Sequence, residues 1–268
     1  MAELPEELAT KLVQAADIVL GSNYLVAMVG AGLSVESGIP PYRGPGGLWT
    51  KFGEPPMLSY REFVRDPQLW WEERLQGERE PGNPVYEMKL AVDQAQPNPG
   101  HYALVELERL GLLQQTITQN VDNLHRRAGS QHLIEIHGNR TWLRCMDCGA
   151  RRPRDGFSLA ELPPRCPQCK GIIKSDTVMF GEPIPTDVLQ ECWRQVELCD
   201  CVLLVGTSGT VNPAAQLPIV ARNRGATLIE VNPQETHLSA QCDLTLEGPS
   251  GEILPALVNL VRQRLPVD

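Results

Sequence analysis

The stretch YLVAMVGAGLSVESGIPPYRG, residues 24–44, decides how the rest of the chain is interpreted. Residues 24–29 form an apolar run rich in β-formers, which is typical of a buried parallel strand. Gly30 and Gly32 follow at the position of a phosphate-binding turn, whose backbone N–H groups can cradle a pyrophosphate. The usual dinucleotide fingerprint needs a further glycine where this chain has Val35, so a cofactor held for hydride transfer fits poorly. A plain tight turn is the alternative.

The rest of this loop adds polar, rigid and aromatic residues to the turn. Ser34 and Glu36 are polar groups among small apolar neighbours, and a proline pair stiffens the chain after Ile39. Tyr42 then offers a ring that can stack, and Arg43 offers a cation that can pair with phosphate. Taken alone, Arg43 is equally typical of a surface charge.

Strands and helices alternate along the rest of the chain, which predicts an α/β fold with a Rossmann-like, doubly wound parallel sheet. Apolar runs predict strands at 116–118, 133–138, 201–206 and 226–232, and helical spacing predicts helices at 6–20, 101–110, 213–223 and 252–264. Two segments interrupt this pattern, a tryptophan-containing one at 45–98 and a cysteine-containing one at 139–176. We therefore expect a large domain built from 1–44, 99–138 and 177–268. We also expect the helical insertion 45–98 and the cysteine-containing insertion 139–176 to form a smaller domain together.

The composition of the 268 residues, 42% of them hydrophobic, excludes a disordered or fibrous protein. The net charge of −9 opposes binding to nucleic acid over the whole surface, so no direct nucleic-acid partner is expected. The first residues are acidic, and no apolar run reaches the roughly 18 residues that span a bilayer. We expect a cytoplasmic protein without a membrane partner.

Four of the eight cysteines have metal-ligand spacing, Cys145-x2-Cys148 followed by Cys166-x2-Cys169. Two such pairs in a chain without an export signal indicate a four-thiolate Zn²⁺ site rather than disulfides. Four thiolates fill a tetrahedral shell, so the predicted zinc is structural. The other cysteines are expected to be small core residues.

Further polar groups lie at the ends of four predicted strands. Gln119, Asn120 and Asp122 come after one strand, and their amides suit ribose hydroxyls and carboxamides, although a capped helix start is the alternative. His137 lies at the end of the next strand, where a histidine can take a proton from a hydroxyl or serve a structural role. Gly206, Thr207, Ser208 and Asn232 follow two others and suit the adenosine half of a dinucleotide. Because the carboxyl ends of parallel strands share one sheet edge, these groups are expected to converge.

Taken together, the motifs make the chain similar to the sirtuin family over residues 24–257. They are GAGLSVESGIPPYRG, TQNVDNLH, the HG pair, the two CxxC pairs, MFGE at 179–182 and GTSGTVNP at 206–213. Sirtuins are NAD-dependent protein-lysine deacylases that consume NAD as a co-substrate. The resemblance therefore implies an enzyme that removes acyl groups from lysine side chains and releases nicotinamide and O-acyl-ADP-ribose. Deacetylation is the expected main activity.

The resemblance also implies roles for individual residues. Attack of the acyl oxygen on the nicotinamide ribose expels nicotinamide, and His137, aided by Asn120, is the base that activates a ribose hydroxyl. The implied NAD-binding residues are Gly30, Ala31, Gly32, Ser34, Ile39, Tyr42, Arg43, Gln119, Asn120, Asp122, Gly206, Thr207, Ser208, Asn232 and Ser250. The implied substrate-binding residues are Val178, Phe180, Gly181 and Val211, with the peptide added as a strand between 178–181 and 209–211.

The chain departs from the family pattern at three places. Tyr42 replaces the commoner phenylalanine, and residues 174–177 read KSDT where the family more often has Arg-Pro-x-Val. Sirtuins that prefer succinyl or malonyl groups carry a tyrosine and an arginine where this chain has Arg74 and Gly77. A dedicated preference for acidic acyl groups is therefore not expected, although Arg74 can still face the pocket. Acetyl or longer apolar acyl groups are the expected substrates.

Two other functions use the same residues. A protein mono-ADP-ribosyltransferase would let a protein side chain intercept the ribose electrophile. A non-catalytic NAD-binding sensor would hold NAD without turnover, but His137, Asn120 and Asp122 argue against it.

Overall fold

In the computed structural model, the described residues are 5–41, 46–53, 57 and 59–265. The strands are β1 Leu25–Val29, β2 Leu113–Thr118, β3 Leu133–Glu135, β4 Trp142–Cys145, β5 Arg151–Pro153, β6 Ile173–Ser175, β7 Cys201–Val205, β8 Thr227–Asn232 and β9 Leu244–Glu247. The helices are α1 Glu6–Gly21, α2 Leu48–Phe52, α3 Ser59–Arg65, α4 Pro67–Gly77, α5 Pro84–Gln94, α6 Pro99–Arg109, α7 Leu124–Ala128, α8 Thr186–Leu198, α9 Gln216–Asn223 and α10 Ser250–Arg264. Short 3₁₀ helices cover Ala31–Ser37 and Ser239–Gln241.

The larger sheet has six strands in the order β3-β2-β1-β7-β8-β9, and every neighbouring pair is parallel. The chain runs outward from β1 to β3 on one side and then returns to build β7 to β9 on the other. The strand order therefore reverses between β1 and β7, and ligands of such sheets bind at the carboxyl ends of the strands beside this reversal. This confirms the predicted doubly wound α/β fold.

Helices cover both faces of the sheet, which explains why β1 is apolar at every position. Leu25, Ala27 and Val29 pack into one core cluster with α1, α6 and α10. Val26 and Met28 point the other way, into a second cluster with α8 and α9. Successive side chains of a strand alternate between faces, so a strand covered on both sides needs a continuous hydrophobic run.

The smaller sheet is antiparallel, with β4 between β5 and β6. Leu143 and Ile173 of this sheet pack against Phe63 and Trp71 from the helices α3 and α4. Trp71 is fully buried, and its Nε1–H donates to the Ile173 carbonyl at 2.9 Å. The helical segment and the cysteine-containing segment therefore share one apolar core.

Three predicted elements have bounds that differ by three residues in the structure, and one of them is β2, which begins at Leu113 rather than at residue 116. The strand predicted over 133–138 ends at Glu135, because the Gly138 N–H bonds back to the Glu135 carbonyl at 2.9 Å and closes a turn. The helix predicted to open at Pro213 begins at Gln216, because the preceding residues form a hydrogen-bonded turn from Pro213 to Gln216. No helix among the described residues is long and apolar enough to cross a membrane.

Candidate active site

The loops after β1 and β7 meet in a contact that only glycines permit. The Gly32 N–H donates to the Gly206 carbonyl at 2.8 Å, and a Cβ on Gly32 would lie 2.5 Å from the Gly206 Cα. A Cβ on Gly30 would likewise lie 2.7 Å from the Gly206 carbonyl oxygen. The glycines of the opening motif thus serve the close packing of two loops at the reversal in strand order.

The loop after Gly30 continues as the 3₁₀ helix Ala31–Ser37 rather than as an α-helix. It is tied to two longer helices. The side-chain amide of Asn98 donates to the Leu33 carbonyl at 2.7 Å and to the Ser37 hydroxyl at 3.0 Å. The Glu36 carboxylate accepts from the Gly251 N–H at 2.7 Å and from the Ser250 hydroxyl at 3.3 Å. Ser250 therefore meets this loop at the start of α10.

Ser34, Asn120 and Asp122 form a buried polar cluster behind the loop. The Ser34 hydroxyl donates to Asp122 Oδ2 at 2.7 Å and accepts from Asn120 Nδ2 at 3.1 Å. Asn120 Nδ2 also donates to the Gly30 carbonyl at 3.0 Å, so both of its protons are engaged. Among the described residues no group bonds Asn120 Oδ1, so Asn120 offers this site an acceptor.

His137 lies in the turn after β3, half-buried. Its Nδ1 lies 3.2 Å from the Gln119 carbonyl oxygen, which can only accept, so Nδ1 carries the proton and Nε2 presents its lone pair. Burial lowers the pKa of His137, against the opposing effect of that hydrogen bond. The side chain is therefore a neutral imidazole at neutral pH, the state that a general base needs.

Gln119 links His137 to the loops that follow β7 and β8. Its side-chain amide donates to Thr207 Oγ1 at 2.9 Å, and the Asn232 amide donates to the Thr207 carbonyl at 3.1 Å. Ser208 is exposed, and its hydroxyl lies 2.9 Å from that of Thr210. The predicted groups at the ends of β1, β2, β7 and β8 thus lie along one edge.

A cavity opens behind the polar cluster. Its lining comes from the loop after β1, the segment after β2, helix α5 and the turn after His137. The lining residues are Ala31, Ser34, Ile39, Pro40, Met88, Val92, Asn120, Val121, Asp122 and Arg140. Arg140 was not predicted as a site residue. The one sequence signal for it is a cation placed three residues after His137.

The predicted substrate residues lie in two loops, one of which bonds to His137. The Val178 N–H donates to the His137 carbonyl at 2.9 Å, and the Phe180 carbonyl accepts from the Tyr60 N–H at 3.1 Å. The Phe180 ring lies 5.7 Å from that of Trp49. Gly181 follows as an exposed residue of the same turn, whereas half-buried Val211 precedes α9. In the part of the chain that the structure describes, 178–181 and 209–211 form no strand.

Cys145, Cys148, Cys166 and Cys169 converge at the smaller sheet, with all four sulfur atoms within 4.8 Å of one another. The Sγ atoms of Cys145 and Cys169 are 3.4 Å apart, and those of Cys148 and Cys166 are 3.8 Å apart. Tetrahedral zinc with Zn–S bonds of about 2.3 Å needs sulfurs about 3.8 Å apart, so the four residues fit this ion. Tyr42 and Arg43 lie outside the described residues.

Comparisons with a family model, with known proteins and with solved structures agree with one another. A model of the Sir2 family matches residues 30–213. The NAD-dependent protein deacylase of Pyrococcus abyssi is 40% identical over 260 residues, covering 95% of this chain and 99% of that protein. A crystal structure of a Sir2 homologue–NAD complex has a TM-score of 0.76 at 38% identity and covers 97% of this chain and 95% of that chain. The structure of Sir2Af2 bound to a myristoylated histone peptide has a TM-score of 0.67 at 34% identity and covers 95% of this chain and 97% of that chain.

Proposed function

The chain belongs to the Sir2 family, and from this premise we propose that it is an NAD-dependent protein-lysine deacylase whose general base is His137. The observation that carries the proposal is the tautomer of His137, whose Nε2 is left as an acceptor by the contact of Nδ1 with Gln119. The buried cluster of Ser34, Asn120 and Asp122 lies at the same edge of the sheet.

The reaction begins with the acyl oxygen of the modified lysine, which bonds to C1′ of the nicotinamide ribose while the bond to nicotinamide breaks. An amide resists attack by water, and this step converts it into an alkylimidate that is open to attack. His137 Nε2 then takes the proton of a ribose hydroxyl, whose oxygen bonds to the imidate carbon. Water completes the reaction, giving lysine and O-acyl-ADP-ribose.

The chain's residues bind and orient NAD at this edge. We assign the nicotinamide ring to the cavity that Ile39 and Asp122 line, and the pyrophosphate to Ala31, Gly32 and Ser34. The adenosine half lies toward Gly206, Thr207 and Asn232. The zinc held by the four cysteines has a structural role, because no ligand position remains open on it.

We also propose that the large sheet and its helices form one domain, and that 45–98 and 139–176 form the smaller one. The shared core of Phe63, Trp71, Leu143 and Ile173 supports this division. None of the eight cysteines is in a disulfide, and four of them converge as the proposed zinc ligands, which supports a cytoplasmic location.

The test is turnover of an acetyl-lysine peptide with NAD, followed by mass spectrometry of the peptide and of the ADP-ribose product. The His137→Ala variant should lose at least a hundredfold in kcat while keeping its zinc and its melting temperature. Undiminished turnover by this variant would show that His137 is not the base. In a parallel reaction with labelled NAD, label that stays on the protein would indicate ADP-ribosyl transfer instead.

A further inference from the structure

Glu230 places a carboxylate between apolar residues in the middle of β8. Leu228 packs into the second core cluster, whereas Ile229 and Val231 pack into the first. Because side chains alternate between the faces of a strand, Glu230 lies on the same face as Leu228. It is only 2% exposed, and among the described residues no cation forms an ion pair with it. A buried carboxylate is costly unless other groups bond it, so its partners indicate its role.

The partners of Glu230 belong to the turn 236–241, which follows β8. The Thr236 hydroxyl donates to one carboxylate oxygen, and the Ser239 hydroxyl donates to the other. The Thr236 hydroxyl also accepts from the Leu238 N–H at 3.1 Å, and the Ser239 hydroxyl accepts from the Thr236 N–H at 2.8 Å. A single carboxylate therefore fixes both sides of this turn, with Leu238 held between them.

Leu238 is the residue through which this turn meets the proposed substrate site. Its side chain is buried in the second core cluster. A Cβ on Gly209 would lie 2.5 Å from Leu238 Cγ, so Leu238 fills the space that a side chain at position 209 would take. Gly209 has a φ of +66°, which glycine adopts more readily than other residues. Leu238 therefore packs directly against the backbone of the loop 206–211.

This loop takes part in both halves of the proposed site. Gly206 and Thr207 are assigned to adenosine, and 209–211 is one of the two segments between which the peptide would add as a strand. The start of the loop is anchored by the Gln119 side-chain amide, which donates to Thr207 Oγ1 at 2.9 Å. Farther along, the wall behind Gly209 is Leu238. Strand addition needs backbone groups that point in fixed directions, so this wall bears on peptide binding.

We propose that Glu230 is a positioning residue for the acyl-lysine peptide, and that it acts by holding Leu238 against Gly209. The inference rests on the proposed function and adds to it a residue that lies outside the binding motifs. His137 is held separately, by the Gln119 carbonyl oxygen 3.2 Å from its Nδ1. Loss of Glu230 should therefore weaken peptide binding and spare the chemical step.

The test measures kcat and the KM for an acetyl-lysine peptide with saturating NAD. Glu230→Leu removes the carboxylate, and Leu238→Ala removes the side chain that it holds in place. Each should raise the KM about fivefold or more and leave kcat within about twofold of wild type. The variant with both changes should have a KM no higher than the poorer single variant, because both changes break the same connection.

Leu228→Ala is the matched control. It truncates another leucine of the second core cluster, toward the amino end of β8 and away from the loop 206–211. It should lower the melting temperature as Leu238→Ala does, while its KM stays at the wild-type value. An equal rise of KM in Leu228→Ala and Leu238→Ala would overturn the inference, because a general loss of stability would then explain both. An unchanged KM in Glu230→Leu would overturn it as well.

Amide hydrogen exchange of residues 206–211, measured without substrate, separates this inference from the proposed function. Exchange there should be faster in Glu230→Leu and Leu238→Ala than in Leu228→Ala. Equal exchange in the three variants would overturn the inference alone. Absence of wild-type turnover with every acyl peptide would overturn the proposed function, on which the inference rests. If Glu230→Leu does not fold, Glu230→Gln leaves one of the two hydroxyls without its acceptor oxygen and gives the same comparison.

Discussion

Lys174 and Glu182 form an ion pair between buried side chains, with Nζ 3.1 Å from Oε2. Lys174 Nζ also donates to the carbonyls of Ser175 and Thr177 at 2.7 Å each, and Glu182 accepts from the Met179 N–H at 2.8 Å. The pair therefore fixes the segment 175–182, whose Val178 bonds the His137 carbonyl. This gives a physical role to the lysine that stands where sirtuins more often have arginine.

Replacing Lys174 with methionine should destabilise the protein by about 1.5–3 kcal/mol, because Glu182 loses one of its two cations. The other cation, Arg144, stays 2.6 Å from Glu182, so the carboxylate is not left unpaired. Denaturant unfolding at neutral pH measures this loss. Lys174→Arg keeps a cation and should cost less. If Lys174→Met unfolds at the wild-type denaturant concentration, the pair does not hold this segment.

Gly32→Ala should remove deacylase activity and lower the melting temperature. The new Cβ would lie 2.5 Å from the backbone of Gly206, which cannot move aside as a flexible side chain would. Overpacking of this kind costs about 1–3 kcal/mol or more. Thermal melting together with nicotinamide release measures both effects.

Gly21→Ala is the matched control for that substitution, because a Cβ at Gly21 meets nothing within 4 Å and the residue lies in α1. Alanine is the better helix former by about 1 kcal/mol, so this variant should be as stable as wild type or more so. Equal melting temperatures for both variants would show that the contact between the two loops is not tight.

The sequence was sufficient to predict features that depend on residues close together in the chain. The apolar runs of β1 and β7 predicted a parallel sheet because a strand buried on both faces must be apolar throughout. The spacing of the four cysteines predicted their convergence because each CxxC pair places two sulfurs on one turn. The ends of elements were less certain, since the turn from Glu135 to Gly138 depends on a single hydrogen bond.

The features that the sequence did not predict depend on residues far apart in the chain. Helix α8 is an exception, because Val188, Cys192 and Val196 have helical spacing in the sequence itself and pack in the second core. Strand β9 was not expected, because its two apolar residues, Leu244 and Leu246, gain meaning only beside β8. Arg140 has the same explanation. Its charge is unremarkable in the sequence, and only the packing of α5 and the segment after β2 shows that it is buried with no carboxylate of the described residues paired to it.

Removing zinc should disrupt the smaller sheet while the parallel sheet persists. Cys145 ends β4, and its register with Ile173 of β6 depends on a neighbour held by the metal. We expect Cys145→Ser to lose zinc and to become sensitive to protease within 146–170. Zinc content and limited proteolysis give the measurement.

Cys242→Ser is the control for zinc loss. Burial raises the pKa of the Cys242 thiol to about 12, so it stays protonated at neutral pH and does not bind metal. This variant should keep its zinc. Retention of zinc by Cys145→Ser would contradict the assignment of the four-cysteine site.

His101 and His125 should make the protein less stable as the pH falls from about 6.5. Their rings pack with centroids 5.1 Å apart, and neither nitrogen of His125 has a hydrogen-bond partner among the described residues. Burial lowers the pKa of His101 to about 3 and that of His125 to about 4, although Asp122 and Glu135 oppose the shift of His125.

Proton binding explains why the free energy of unfolding falls as the pH falls. Below about pH 6.5 the unfolded chain protonates both histidines while the folded chain keeps them neutral, so each costs about 1.4 kcal/mol per pH unit down to its folded pKa. Denaturant unfolding at pH 7, 6 and 5 should show this loss, and His125→Leu should reduce its slope. His237→Leu, at an exposed position, controls for removal of a histidine. A slope that is the same in His125→Leu and wild type would mean that the buried pair does not cause the acid sensitivity.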